Sequence, residues 1–208
     1  MKRFCTATLL CLTYAAGASG AIVNGSFEAD AVGITTEPAG FVRDANVSSV
    51  IVDTNVTEGN NAVQVTVDYP AAGFGGSYFS NALTQFRVPG DVAAELVSGE
   101  DYTIRADVTV ETADSVVTIQ GFSSGLTLIN DSVDTAADAT LIGVTQTVSA
   151  DFTYAGGDLF VAIQTSDPTF DGGTVTVTVD NFQIVPEPGT MMLGALGGGL
   201  CLLRRRWV

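Results

Sequence analysis

Residues 101–110 read DYTIRADVTV, and every second position is apolar: Tyr102, Ile104, Ala106, Val108 and Val110 alternate with Thr103, Arg105, Asp107 and Thr109. A strand turns successive side chains to opposite faces, so a period of two puts one set in a core and the other in water. The pattern repeats in residues 62–69 (AVQVTVDY), where Val63, Val65, Val67 and Tyr69 oppose Gln64, Thr66 and Asp68. It returns in residues 143–154 (GVTQTVSADFTY), where Val144, Val148, Ala150, Phe152 and Tyr154 oppose Thr145, Thr147, Ser149, Asp151 and Thr153. Gly, Asn and Asp clusters bound these runs, and further strands are expected near residues 22–27, 47–53, 83–88, 115–122, 158–165 and 174–185. Only GDVAAELVS (residues 90–98) has a helical look, with Asp91 as its cap. Many short strands without alternating helices predict an all-β, antiparallel two-sheet sandwich or jelly roll over residues 21–185.

The last strand holds an anomaly. In TVTVTVDNFQIV (residues 174–185) the apolar positions are 175, 177 and 179, then 182 and 184. Either a β-bulge near Asp180 resets the register or the strand is covered on both faces.

Charge narrows the function classes. Between Ile22 and Val185 the only basic residues are Arg43, Arg87 and Arg105, against 22 of the 23 acids, a net charge of −19 (3 − 22). Such a surface repels nucleic acid and anionic headgroups, because each phosphate contact needs a cation. A solvated surface accounts for the acids; divalent cations that neutralise part of them are the alternative. The chain has no histidine, hence no Ser-His-Asp triad and no His-ligated zinc. Cys5, Cys11 and Cys201 all lie near the ends, so the domain has no disulfide and no thiolate nucleophile. A glycoside hydrolase built on two carboxylates remains formally open as a third reading.

Both ends read as addresses. Residues 1–20 combine Lys2 and Arg3, an apolar stretch from Phe4 to Ala16 and small residues, the pattern of a secretory signal peptide cut between Ala18 and Ala21. Residues 186–208 open with Pro186-Glu187-Pro188, a rigid extended break. Met191 to Leu203 is then uncharged and apolar. As a short hydrophobic helix it reaches about 20 Å, less than a ~30 Å hydrocarbon core. Gly194, Gly197, Gly198 and Gly199 weaken that helix, and Arg204, Arg205 and Arg206 hold its end on the cytoplasmic side.

This ending closely resembles the PEP-CTERM sorting signal of Gram-negative bacteria, with Pro186, Glu187, Pro188 and Arg204 to Arg206 in the expected order. The resemblance implies a transient membrane anchor. An exosortase, a membrane-embedded transpeptidase-like enzyme, would remove it near Pro-Glu-Pro. Delivery to the outer surface or an exopolysaccharide-rich matrix would follow.

A second resemblance covers the domain. IVNGSFEAD (22–30), EGNNAVQVTVDY (58–69), LVSGEDYTIRADVTV (96–110) and TVDNFQIV (178–185) are similar, in order, to markers of galactose-binding-like jelly rolls. Carbohydrate-binding modules of families four and nine are the nearest in pattern. The resemblance implies first and last strands lying close together. It also implies a structural calcium ion held by Glu28, Asp180 and carbonyls around Glu58 to Asn61. Glu28 and Asp180 as plain solvated carboxylates are the alternative. Sugar binding needs ring faces. DYPAAGFGGSYFS (68–80) offers Tyr69, Phe74, Tyr78 and Phe79, unless these rings plug one end of the sandwich; the only tryptophan, Trp207, lies in the tail. The expected function is an exported, non-catalytic protein that binds extracellular polysaccharide. The alternative is a structural matrix protein with no ligand pocket.

Overall fold

The computed structural model describes residues 22–70, 78–87, 96–123, 126–127, 131–169 and 172–187. The expected signal peptide, the apolar tail, Pro188, Arg204 to Arg206 and residues 90–95 of the helix-like stretch lie outside the described residues. Among the described residues no helix is long and apolar enough to cross a membrane.

The strands are β1 (Val47–Val52), β2 (Ala62–Tyr69), β3 (Tyr78–Arg87), β4 (Asp101–Val110), β5 (Val116–Ser123), β6 (Leu126–Thr127), β7 (Asp131–Asp134), β8 (Thr145–Thr153), β9 (Leu159–Asp167) and β10 (Gly173–Pro186). They form two five-stranded sheets, in the orders β1-β2-β10-β4-β8 and β3-β9-β5-β6, with β7 also pairing β5. Every pairing is antiparallel. From β2 to β5 the chain changes sheet at each step, and β10 returns between β2 and β4. This is the jelly-roll sandwich that the alternating runs predict.

Alternation fills the space between the sheets. Val63, Val65, Val67, Ile104, Ala106, Val108, Val177 and Val179 face inward from the first sheet, and Leu83, Val117, Ile119, Val161 and Ile163 from the second; all are fully buried. Each large aliphatic chain removed from water contributes about 1.5–3 kcal/mol. The domain has no disulfide to supplement this.

Two local features depart from simple strands. First, residues 22–27 form turns rather than the expected strand. The Asn24 side chain accepts from the Ala29 N–H and donates to Asp30, and Asn24 and Phe27 both take a φ of 57°. Local side-chain bonding of this kind competes with ladder formation. Second, the register of β10 against β4 shifts between Asp180 and Gln183, with Asn181 at a φ of 51°. The parity switch in the sequence is therefore a bulge. It turns the Phe182 N–H to the Gly25 carbonyl at 2.8 Å and packs Phe182 on Phe41, which packs on Phe27. Gly25 approaches so closely that a Cβ there would lie 1.8 Å from the Phe182 oxygen. The first segment and the last strand thus lie together.

Candidate functional site

The bulge aims Asp180 at the loop between β1 and β2. Asp180 is buried, and its Oδ2 accepts from the Thr57 N–H at 2.7 Å, the Glu58 N–H at 2.8 Å and the Thr57 hydroxyl at 3.1 Å. Its Oδ1 accepts from the Asn181 N–H at 2.7 Å. From the first segment, Glu28 Oε1 accepts from the Asn60 and Asn61 N–H groups, each at 2.7 Å. Gly59 sits beside this carboxylate at a φ of +73°, where a Cβ would meet Glu28 Oε1 at 2.4 Å. The amides of Asn60 and Asn61 hold the Glu28 pKa below the usual carboxylate range. At Asp107, which faces Asp180 across the β10–β4 ladder, burial opposes ionisation. Donation from Thr147, Asn181 and Thr57, together with the Arg105 charge, outweighs it and lowers the pKa.

The two carboxylates expected at a calcium site therefore do grip one loop, but through N–H donors. Calcium takes six to eight oxygen ligands. Here the loop turns amides toward Glu28 and Asp180, and among the described residues no group of three or more acidic, His or Cys side chains gathers together. As they stand, these N–H donors close the loop onto both carboxylates.

The outer face of the second sheet has another character. In register across three strands lie Phe86, Phe160 and Phe122. Phe86 is 55% exposed, and the Phe122 and Phe160 rings meet edge to face at a centroid distance of 5.5 Å. The next row is Thr84, Ala162 and Gln120, extended past the sheet edge by a bridge from Thr84 to exposed Val42. The Thr84 hydroxyl is buried and has no hydrogen-bond partner. Beyond it come Asn81, Gln164 and Thr118, then Phe79, Ser166 and Val116. Rings for stacking and amides for hydroxyl groups thus share a single open surface.

Of the four rings expected to bind ligand, Phe79 is 63% exposed on this face. Tyr69 is buried, its hydroxyl 2.6 Å from Thr165 Oγ1, and burial pushes its pKa up, so it offers no face to a sugar. Tyr78 opens β3 opposite Asp167, and Phe74 lies outside the described residues. The Phe86–Phe160–Phe122 row was missed from sequence. Its signal is that each ring falls on the polar parity of its own strand.

Comparison with known proteins agrees with both halves of the chain. Residues 185–206 match the PEP-CTERM protein-sorting motif. A search of curated proteins finds no match. Among solved structures, the C-terminal family 22 carbohydrate-binding module of Clostridium thermocellum Xyn10B is similar at a TM-score of 0.50 and 12% identity, covering 79% of this chain and 92% of that one. An exo-beta-agarase is similar at 0.51 and 11% identity, covering 76% of this chain but only 26% of its own length. The CBM22-1 xylan-binding domain of Paenibacillus barcinonensis Xyn10C reaches 0.49 at 13% identity, covering 78% and 91%. At such identities the likeness shows the fold. The chain is a jelly-roll sandwich of the kind seen in carbohydrate-binding modules, and it carries at residues 185–206 a PEP-CTERM sorting motif, which indicates bacterial export, sorting to the cell envelope and exosortase processing.

Proposed function

We propose that this domain is a non-catalytic module of the outer surface or extracellular matrix of a Gram-negative-type bacterium, binding neutral polysaccharide on the open face of its second sheet. The observation that carries the reading is the Phe86–Phe160–Phe122 row on that face. Sugar C–H faces stack on rings, and Asn81, Gln164, Gln120 and Thr118 on the same face offer donors and acceptors to sugar hydroxyl groups. Neutral chains are favoured because the domain is strongly acidic and holds only three arginines. Similar folds include a xylan-binding domain and a family 22 module with a ligand-binding cleft, in keeping with this use of the sandwich.

Hydrolysis draws no support from the perturbed carboxylates. A glycosidase acid needs a raised pKa, whereas Glu28, Asp107 and Asp138 are held below the usual range by hydrogen-bond donors. Asp107 and Asp180 face each other, but Asp180 is buried beneath the Thr57–Glu58 amides rather than open to a cleft.

One observation favours a structural role instead: Phe79, Phe86 and Val42 are exposed apolar groups on one surface, which self-association would cover. Affinity electrophoresis through xylan, β-glucan, galactan and alginate separates the two readings. Retardation by a neutral gel, weaker or absent in alginate, is expected. No retardation in any gel, with mass increasing with concentration in sedimentation, would sink the binding reading in favour of assembly.

A further inference from the structure

Asn-x-Ser/Thr triplets begin at Asn24, Asn46, Asn55 and Asn130. This is the acceptor pattern for N-linked glycans on exported proteins, although a chain rich in Asn and Thr also produces it by composition. Asn130 lies outside the described residues. Among the other three the fold discriminates. A sugar replaces one of the two hydrogens on Nδ2, so an amide that uses both cannot accept one without losing a bond. Asn24 Nδ2 donates to Asp30 Oδ2 at 2.7 Å and to the Ala39 carbonyl at 3.3 Å. Asn46 Nδ2 donates to the hydroxyl of buried Ser80 at 2.7 Å and to the Asp68 carbonyl at 3.2 Å. Both amides tie segments of the domain together.

Asn55 differs. It is exposed in the loop between β1 and β2, with a φ of 56°, and among the described residues its Nδ2 meets only Glu111 Oε1, at 3.3 Å. Glu111 does not depend on it. Gln64 Nε2 reaches both oxygens of that carboxylate, at 3.0 and 2.9 Å, and the Thr178 hydroxyl donates to it at 2.7 Å. One Nδ2 hydrogen of Asn55 is therefore open to substitution in the finished fold.

The third residue of the triplet sets the timing. The need for Ser or Thr there makes its hydroxyl part of what a transferase recognises. In the fold Thr57 is held: its N–H donates to Asp180 Oδ2 at 2.7 Å, and its hydroxyl lies 3.1 Å from that oxygen and 2.7 Å from Asp107 Oδ2. Asp180 follows Thr57 by 123 residues, on the strand that inserts between β2 and β4. On a chain that emerges N-terminus first, the triplet stays free until β10 is present.

We propose that Asn55 is a glycan acceptor, loaded during export and then locked when β10 docks the loop. The inference rests on export, which the sorting motif indicates, and is independent of glycan binding by the second sheet. In the step, Asn55 Nδ2 attacks the anomeric carbon of a polyprenyl-diphosphate-linked oligosaccharide. The C–N bond forms, the anomeric C–O bond breaks, the lipid diphosphate leaves, and one Nδ2 proton passes to a base of the transferase. The attached chain then stands beside the outer face of the first sheet, away from the Phe86–Phe160–Phe122 row.

The full chain is exported in a Gram-negative host that carries an N-oligosaccharyltransferase and its polyprenyl-diphosphate oligosaccharide. Site-resolved mass spectrometry of the folded fraction should find sugar on Asn55 and none on Asn24 or Asn46. Thr57→Val should abolish it, and Thr57→Ser should restore it. Asn55→Gln should lose the sugar yet melt within about 2 °C of wild type, as an exposed substitution does. Bare Asn55 beside a control acceptor modified in the same cells overturns the site, as does sugar on Asn24 or Asn46 of folded protein. The lock is tested on purified, sugar-free protein with the same transferase and donor. Asp180→Ala, held below its melting temperature, should be loaded about tenfold faster than wild type, because its loop opens more often. Equal rates overturn the lock and leave the site standing.

Discussion

On the outer face of the first sheet, threonines reach across strands to carboxylates: Thr174 to Asp68, Thr178 to Glu111, Thr147 to Asp107 and Thr153 to Asp101. Gln64 adds both of its amide contacts to Glu111. On the outer face of the second sheet Phe79 and Phe86 stand in water, and Thr84 keeps a hydroxyl with nothing to bond. The contrast shows how a domain with no lysine or histidine settles its acid charge. Hydroxyls and amides replace cations as the partners of carboxylates, and a face whose donors are already taken has little left for a ligand. Arg105 is the exception on that first face: its Nε is unpartnered, while its charge helps to keep Asp107 ionised.

The largest expected effect tests the closed side. Asp180→Ala removes the acceptor of the Thr57 and Glu58 amides beneath a covered surface. Leaving those donors unpaired costs about 3 kcal/mol. In a domain of this size that lowers the melting temperature by about 10 °C in calorimetry. Because N–H groups already fill these positions, wild type should melt alike with calcium and with chelator. A rise with calcium would break the picture of an ion-free clasp. Retention on neutral gels should survive in Asp180→Ala at temperatures where it remains folded.

Next in size is Phe86→Ala, aimed at the open side. Losing one stacking ring should weaken glycan binding about tenfold. Melting should hardly change, because more than half of the ring is already in water. Phe160→Ala should act in the same direction. If Phe86→Ala bound as wild type while Asp180→Ala lost binding in the folded state, the roles of the two faces would be reversed.

How much of this was legible in the sequence follows from the same contrast. Strands with one wet face announce themselves, so DYTIRADVTV and AVQVTVDY gave their buried sets directly, Tyr69 included. Tyr69 shares the apolar parity of β2, which is why it is a core ring and not a platform. The parity change at Asp180 was legible too, but it admitted a bulge or a strand covered on both faces; the ladder shows the bulge, and Thr178 and Asp180 are buried as well. The stacking row was not legible. Phe86 shares a face with Thr84, Phe122 with Thr118 and Gln120, and Phe160 with Gln164, so each ring is out of phase with its strand. Strand pairing over long separations brings the three together, and no local pattern carries that register. At residues 22–27 the failure was local: Asn24 and Phe27 adopt left-handed backbone, and the Asn24-Gly25 pair is a turn signal that the strand reading passed over.

The smallest effect concerns acid. Glu28 takes two N–H donors from Asn60 and Asn61, and these lower its pKa in the folded state. With a lowered folded value, the unfolded chain binds more protons across the window between the two values, so stability rises with pH there. The contribution is complete above the ordinary glutamate value of about 4.3 and disappears as pH falls through the folded value. Asp107 acts in the same direction, because the donors around it outweigh its burial. Denaturant midpoints measured from about pH 7 down to about pH 3 should be flat and then fall. In Glu28→Gln the neutral amide still accepts from the loop but no longer titrates, so the fall should be shallower. Phe86→Ala should keep the full wild-type slope. A Glu28→Gln curve parallel to wild type would mean that the loop is held by Asp180 alone, leaving the first segment with no electrostatic part in closing that face.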